Sequence, residues 1–247
     1  MIKQTRIIMG MPVILMTPDA RVTVSSLDKI FGFLEYADQK YSPFIATSDV
    51  ALINQKQLAT ENYDDELQEI LALAAKTKHE TNGYFDVWHN ENFDPSGIVK
   101  GWAIQKASQM MQEFTDDFYV EAGGDIQVGG NNDMAQPWRI GIRNPFERNE
   151  TISVVELQNH AVATSGTAIR GQHIYNPFSP QPIKGIVSLS VIAPAIVDAD
   201  RIATAAFAMR EKGIQFIESL KGYEGYMVDS NKRATKTTGW EEYEVQP

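Results

Sequence analysis

Apolar residues change period several times along the chain, and each change marks an element. In SSLDKIFGFLEYADQKY, Leu27, Ile30, Phe31 and Leu34 recur at i, i+3, i+4 and i+7 behind a capping-box-like Ser25 to Asp28, and predict an amphipathic helix. DDELQEILALAAKTKHE opens on acids and halts at Asn82-Gly83 as a second helix. Val99, Ala103, Ala107, Met110 and Phe114 form a third stripe, entered through the loop NFDPSG. The opening MIKQTRIIMGMPVILM reads as a strand with a turn-like break from Met9 to Pro12, and RVTVSS as a second strand. The stretch containing Ser42, Ser48 and Asn54 reads as a polar loop. Strands then dominate: FYVEA, DIQVGG, WRIGIR, TISVVEL, HAVATS and GIVSLSVIA, separated by Gly, Pro and Asn clusters. VDADRIATAAF and GIQFIESL return to helical spacing, and YMVDS and ATKTTGWEEYEV close the chain as strands. Helices and strands intermingle without a strict βαβ rhythm, which predicts an α+β fold with mixed or antiparallel sheets and packed helices. No repeat, low-complexity tract or linker divides the 247 residues, so one domain spanning 1–247 is expected.

Composition narrows the function classes. Hydrophobic content of 43% with 22% charged residues belongs to the globular class rather than the disordered one. A formal net charge of -10, with no Lys/Arg cluster to offset it, repels a phosphodiester backbone and argues against a nucleic-acid partner. The absence of cysteine removes disulfides, thiolate metal sites, Cys nucleophiles and a lipidated N-terminal Cys together. Lys3 and Arg6 ahead of uncharged residues imitate a signal peptide, but Gly10 and Pro12 interrupt the run and no small-x-small cleavage site follows closely. No run approaches the roughly 18 apolar residues of a membrane span. The expectation is a cytoplasmic chain without a membrane anchor.

Four segments carry candidate chemistry. In DPSGIVKGWA, glycines bracket Lys100 at a helix start, where backbone N–H groups and one cation can converge on phosphate oxygens; alone the signal is weak, since most such entries are plain turns and caps. It is not a Walker loop, whose lysine precedes Ser or Thr. In EAGGDIQVGG, Gly123 and Gly124 allow close approach of a ligand and Asp125 can accept from it, or the three form only a tight hairpin. The G-x-G-x-x-G spacing of a dinucleotide fold is absent.

In VATSGTAIRGQHIYNP, Thr164, Ser165 and Thr167 place hydroxyls around Gly166, and His173 is a candidate general base or an ordinary polar residue. His79, His89 and His160 show no metal-ligand spacing. In VDADRIATAAF, Asp198 reads as an N-cap, while Asp200 and Thr204 lie one helical turn apart. The pair is either capping chemistry or two hard ligands for a small divalent cation, and the apolar surroundings of Asp200 demand a partner for a buried carboxylate.

Taken in order, Asp-loop-Lys-Gly, Gly-Gly-Asp, Ala-Thr-Ser-Gly with His-Ile-x-x-Pro, and Ala-Asp-x-x-Ala-Thr-Ala resemble the ApbE family of Mg²⁺-dependent FAD:protein FMN transferases. MGMPV, YSPFIATSDVALIN and TNGYFD extend the likeness over nearly the whole chain. The resemblance implies an ApbE-like, T-fold-like architecture. It implies Mg²⁺ on Asp200, Thr204 and a Gly97 backbone carbonyl, with Lys100 facing the FAD pyrophosphate. Gly123, Gly124, Asp125, Thr164, Ser165 and Gly166 would line the flavin nucleotide, and His173 would help deprotonate the acceptor. The implied reaction attaches FMN by a phosphoester to a Ser or Thr of a target flavoprotein, here a cytosolic one, and releases AMP. An FAD pyrophosphatase and a non-catalytic FAD-binding protein are the alternatives. The chain departs from the family pattern at Met11, at Pro95-Ser96, at Glu121-Ala122 and at Asn176, and its segment from Phe85-Asp86 to Asp94 is short.

Overall fold

A computed structural model describes residues 1–147, 149–167, 171 and 174–246. Its frame is an eight-stranded sheet in which every neighbouring pair is antiparallel. Strands β1 (Ile2–Ile8) and β2 (Met11–Thr17) form a hairpin whose turn is Met9 and Gly10, both with positive φ. Beside β2 lie β5 (Phe118–Ala122) and β6 (Asp125–Gly129), then β9 (Ala161–Gly166), β10 (Ile186–Ala193), β11 (Glu224–Asp229) and β12 (Ala234–Lys236). A three-stranded sheet of β7 (Trp138–Arg143), β8 (Thr151–Leu157) and β13 (Glu244–Val245) covers part of one face, and β3 (Trp88–His89) pairs with β4 (Asn92–Phe93) as a small arm.

Helices cover the other face. They are α1 (Val24–Tyr41), α2 (Asp49–Asn54), α3 (Asp65–Glu80), α4 (Ser96–Gln112), α5 (Ile196–Ala208) and α6 (Lys212–Glu218). The largest apolar cluster joins α1, α3 and α4 to β2 and β5 through Leu27, Phe31, Ile70, Trp102, Leu15 and Val120. A second, built on Trp138, Val155, Val128 and Trp240, cements the small sheet to the large one. A third, with Leu189, Val191, Phe207 and Ile217, seats α5 and α6. With both faces covered, β10 is buried almost throughout, which explains why IVSLSVIA is nearly continuous in hydrophobicity.

The predicted α+β class and antiparallel sheets are observed, with corrections in detail. RVTVSS is not a strand: Thr23 Oγ1 accepts from Ser26 N at 3.2 Å, so capping starts α1 there, two residues before the expected Ser25. The polar loop hides α2, capped by Ser48. The closing segment contains a 3₁₀ turn over Thr238–Glu242 between β12 and β13. No helix among the described residues is long and apolar enough to cross a membrane.

Candidate functional site

Helix α5 enters its first turn with its backbone held from a distant strand. Its N-cap, Ala195, has no capping side chain. Instead Gln127 Oε1, projecting from β6, accepts from Ile196 N at 2.9 Å. Asp198 is therefore not the N-cap; it sits within the first turn and pairs with Arg201 at 2.7 Å. Arg201 is 3% exposed and also binds Glu80 at the end of α3, so this ion network locks α5 laterally. Asp200 and Thr204 then fall on one face, one turn apart.

That face meets two glycines of α4, which also stand one turn apart. A Cβ at Gly101 would lie 3.0 Å from Asp200 Cβ and from Val197 Cα. A Cβ at Gly97 would lie 3.0 Å from the Phe85 ring and 3.6 Å from Thr204 Cγ2. Side chains at these positions would hold the helices apart, so the Gly97-x-x-x-Gly101 spacing is the device that brings α4 onto α5. The same turn of α4 carries Lys100, whose Nζ is 3.2 Å from Asp200 Oδ1 and forms an ion pair with Asp125 Oδ2. Asp125 Oδ1 accepts from Thr164 N at 3.0 Å, tying β9 into the same cluster.

The electrostatics are unbalanced. One ammonium faces two carboxylates that are 1% and 3% exposed at Asp125 and Asp200. Burial pushes the Asp200 carboxyl up to about 7, with Lys100 opposing the rise and Asp125 adding to it. Asp200 Oδ2 is buried and makes no hydrogen bond among the described residues. Thr204 Oγ1 lies 3.3 Å from Ser165 Oγ. A carboxylate oxygen lacking a partner, in a locally negative cluster beside hydroxyl oxygens, fits a hard divalent cation such as Mg²⁺. No group of three or more His, Cys, Asp or Glu among the described residues could hold a metal. A cation here would thus rest on one carboxylate, neutral oxygens and the ligand's own phosphates, a donor set that suits Mg²⁺ better than zinc.

These residues form one wall of a cavity of about 520 Å³, within the usual range for small-molecule sites. Gly97, Lys100, Gly123, Thr164, Ser165, Gly166, Asp200 and Thr204, all expected from the motifs, line it. Gly124 and Asp125 do not. Gly123 and Gly124, with φ of 63° and 98°, make a two-residue hairpin turn between β5 and β6, and Asp125 stands behind the wall as the partner of Lys100. Gly166 has no room for a side chain, since a Cβ would come within 2.7 Å of the Val187 carbonyl. His173 lies outside the described residues.

Sequence reasoning missed the opposite wall. Arg143, Asn144 and Phe146 arrive from the turn after β7, and Tyr84 and Tyr175 from two loops. Tyr175 is braced by its hydroxyl on the Asp86 carbonyl and stacks on His89 at 4.0 Å. The altered Asn176 accepts from Phe178 N at 2.9 Å and shapes that loop. Aromatic and polar residues in turns carry no periodicity, so only the TNGYFD and HIYNP matches, which contain Tyr84 and Tyr175, drew attention to this side.

Comparison with known proteins agrees with the geometry. Residues 87–227, which include Gly97 to Thr204, match the ApbE family. The FAD:protein FMN transferase of Vibrio cholerae is 31% identical over 138 residues, covering 51% of this chain and 41% of that protein. The FAD:protein FMN transferase of Salmonella typhimurium is 28% identical over 155 residues, covering 58% and 44%. The aligned part is thus less than half the length of either curated relative. Among solved structures, the flavin transferase ApbE from Vibrio cholerae superposes with a TM-score of 0.85 at 20% identity, covering 98% of both chains. The ApbE protein from Thermotoga maritima gives 0.87 at 21% identity, covering 99% of both. The fold is common to all three, and the family match spans the cavity wall built by α4, β9 and α5: the chain belongs to the ApbE family.

Proposed function

We propose that the protein is an FAD:protein FMN transferase. The observation that carries this reading is the convergence of Lys100, Asp200, Thr204 and Ser165 on one cavity in an ApbE-family chain. A Ser or Thr oxygen of a target flavoprotein attacks the phosphorus on the FMN side of the FAD pyrophosphate. The P–O bond to the AMP side breaks, AMP leaves, and FMN remains on the acceptor as a phosphoester. The hydroxyl proton passes to a base, for which His173 is the motif's candidate.

Asp200, Thr204 and the Gly97 carbonyl would hold Mg²⁺, which when bound supplies Lewis-acid neutralisation of phosphate charge. The chain's own contribution is positioning. Lys100, fixed by Asp125 and Asp200, holds its ammonium at the cavity wall, where negative charge on a pyrophosphate is stabilised without rearrangement. Gly123 and Gly166 let a ligand approach the backbone, and the hydroxyls of Thr164 and Ser165 offer orienting hydrogen bonds. We place the acceptor in the cytosol, in keeping with the sequence expectation.

Intact-mass spectrometry of a candidate acceptor incubated with the protein, FAD and Mg²⁺ tests this, with nucleotides measured in the same tube. The expected result is one FMN phosphoester per acceptor and a matching amount of AMP. FMN and AMP without a gain in acceptor mass would make the protein a pyrophosphatase. Bound but unchanged FAD would make it a carrier.

A further inference from the structure

A second cavity, of about 400 Å³, shares Tyr84 with the first. Lys184, Arg210 and Lys212 line it with a single acid, Glu211, and with the polar side chains of Asn176 and Ser179. Three cations around one hollow are out of character in a chain of net charge -10. Among the described residues none of the three makes an ion pair. Arg210 is the most telling. Its Nε is buried and makes no hydrogen bond among the described residues, a costly state for a buried donor. It also ends α5 with φ 59°, a left-handed position where glycine would be easier. The chain thus accepts strain and an orphaned donor together to keep a guanidinium at this wall.

We infer that this cavity is an oxyanion-binding subsite, taking a carboxylate or phosphate group on Arg210 with Lys184 and Lys212. Forked N–H donors from Arg210 suit either group, and the lysines neutralise its charge. Arg210 follows Thr204 by six residues, two past the last residue of α5, and the subsite shares only Tyr84 with the residues that line the proposed flavin site.

Calorimetric titration of the full chain with inorganic phosphate, and separately with malonate, tests the inference without requiring transferase activity. The wild type binds at least one of these, Arg210→Gln weakens it at least about tenfold, and Lys100→Gln retains it. The double variant Lys184→Gln/Lys212→Gln, which alters only exposed side chains, reproduces the loss if Arg210→Gln misfolds. No binding by the wild type, or binding as tight as the wild type's by both the Arg210 and the double-lysine variants, overturns the subsite. Loss in Lys100→Gln alone overturns it too, by placing the anion in the first cavity. The source of the oxyanion follows from kinetics with an acceptor. An acceptor carboxylate predicts competition by phosphate and a raised KM for acceptor in Arg210→Gln; a free anion predicts the binding loss with acceptor KM unmoved.

Discussion

The two walls of the main cavity are built on different terms. The helix wall, from α4, α5 and β9, is made of regular elements whose polar groups hold one another: Lys100 between two carboxylates, Asp125 on a backbone N–H, Thr204 beside Ser165. The loop wall, from Tyr84, Arg143, Phe146 and Tyr175, is made of turns, and its neighbouring Phe178 is 64% exposed. Rigid elements suit chemistry that tolerates little displacement, whereas loops suit recognition of a variable partner. Under the proposed reaction, the helix wall serves the FAD pyrophosphate and the loop wall the incoming acceptor. Substitutions in the two walls should therefore fail in different ways.

The largest effect on the molecule itself is expected from Lys100→Gln. Removing the ammonium leaves two buried carboxylates facing each other, a change that costs about 3–5 kcal/mol in buried ion pairs. Urea denaturation should show a loss in that range, and adding Asp125→Asn should restore part of it. A loss below about 0.5 kcal/mol would mean that the cluster is wet and that the helix wall is no more rigid than the loops. Next is Asp200→Ala, expected to lower FMN transfer at least about a hundredfold, about 2.7 kcal/mol at the transition state. Calorimetry should show Mg²⁺ binding lost in the same variant, while near-normal turnover in Mg²⁺ would remove the metal from this wall.

Gly101→Ala probes the close approach of the helices. The new Cβ meets Asp200 Cβ and Val197 Cα at 3.0 Å, and overpacking of this kind costs about 1–3 kcal/mol. Gly32, on the exposed face of α1, has nothing within 4 Å of its would-be Cβ, so Gly32→Ala should instead stabilise by up to about 1 kcal/mol. Opposite signs in the same denaturation assay identify Gly101 as a packing requirement. If both stabilise, the helix spacing is set elsewhere.

Much of the helix wall was legible because its signals are local. Apolar periodicity marks α4 and α5, and the four-residue spacing of Asp200 and Thr204 puts them on one face before any fold is known. What escaped depends on residues far apart in the chain. Asp198 looks like a cap, yet the N-terminus of α5 is satisfied by Gln127, 69 residues away, which frees Asp198 to pair with Arg201. Asp125 looks ligand-facing, yet its partner is Lys100, supplied by another element. RVTVSS alternates for too few residues to outweigh a cap at Thr23. The Gly97-x-x-x-Gly101 spacing was visible, but its meaning needed the helix that crosses it. Of the loop wall, Tyr84 and Tyr175 fall within quoted motifs but without a role, and Arg143 to Phe146 follow a strand without any pattern that distinguishes a lining turn from an ordinary one.

The smallest effect, Phe178→Ala, tests the loop wall most directly. The ring packs edge-on against Tyr84 at 4.9 Å and over Gly83, but most of its surface faces solvent. An aromatic pair contributes about 0.5–1.5 kcal/mol beyond area burial, and exposure reduces that, so stability should change by less than about 1 kcal/mol. If the ring meets the acceptor, KM for acceptor should rise several-fold while FAD affinity and FAD breakdown without acceptor stay as in the wild type. FAD affinity is the deciding quantity, because Tyr84 lines the main cavity and would transmit any disturbance of its own position. A fall in FAD affinity as large as that in acceptor affinity would mean that Phe178 holds Tyr84 against the nucleotide. The loop wall would then belong to substrate binding as much as the helix wall does, and the division of labour between them would fail.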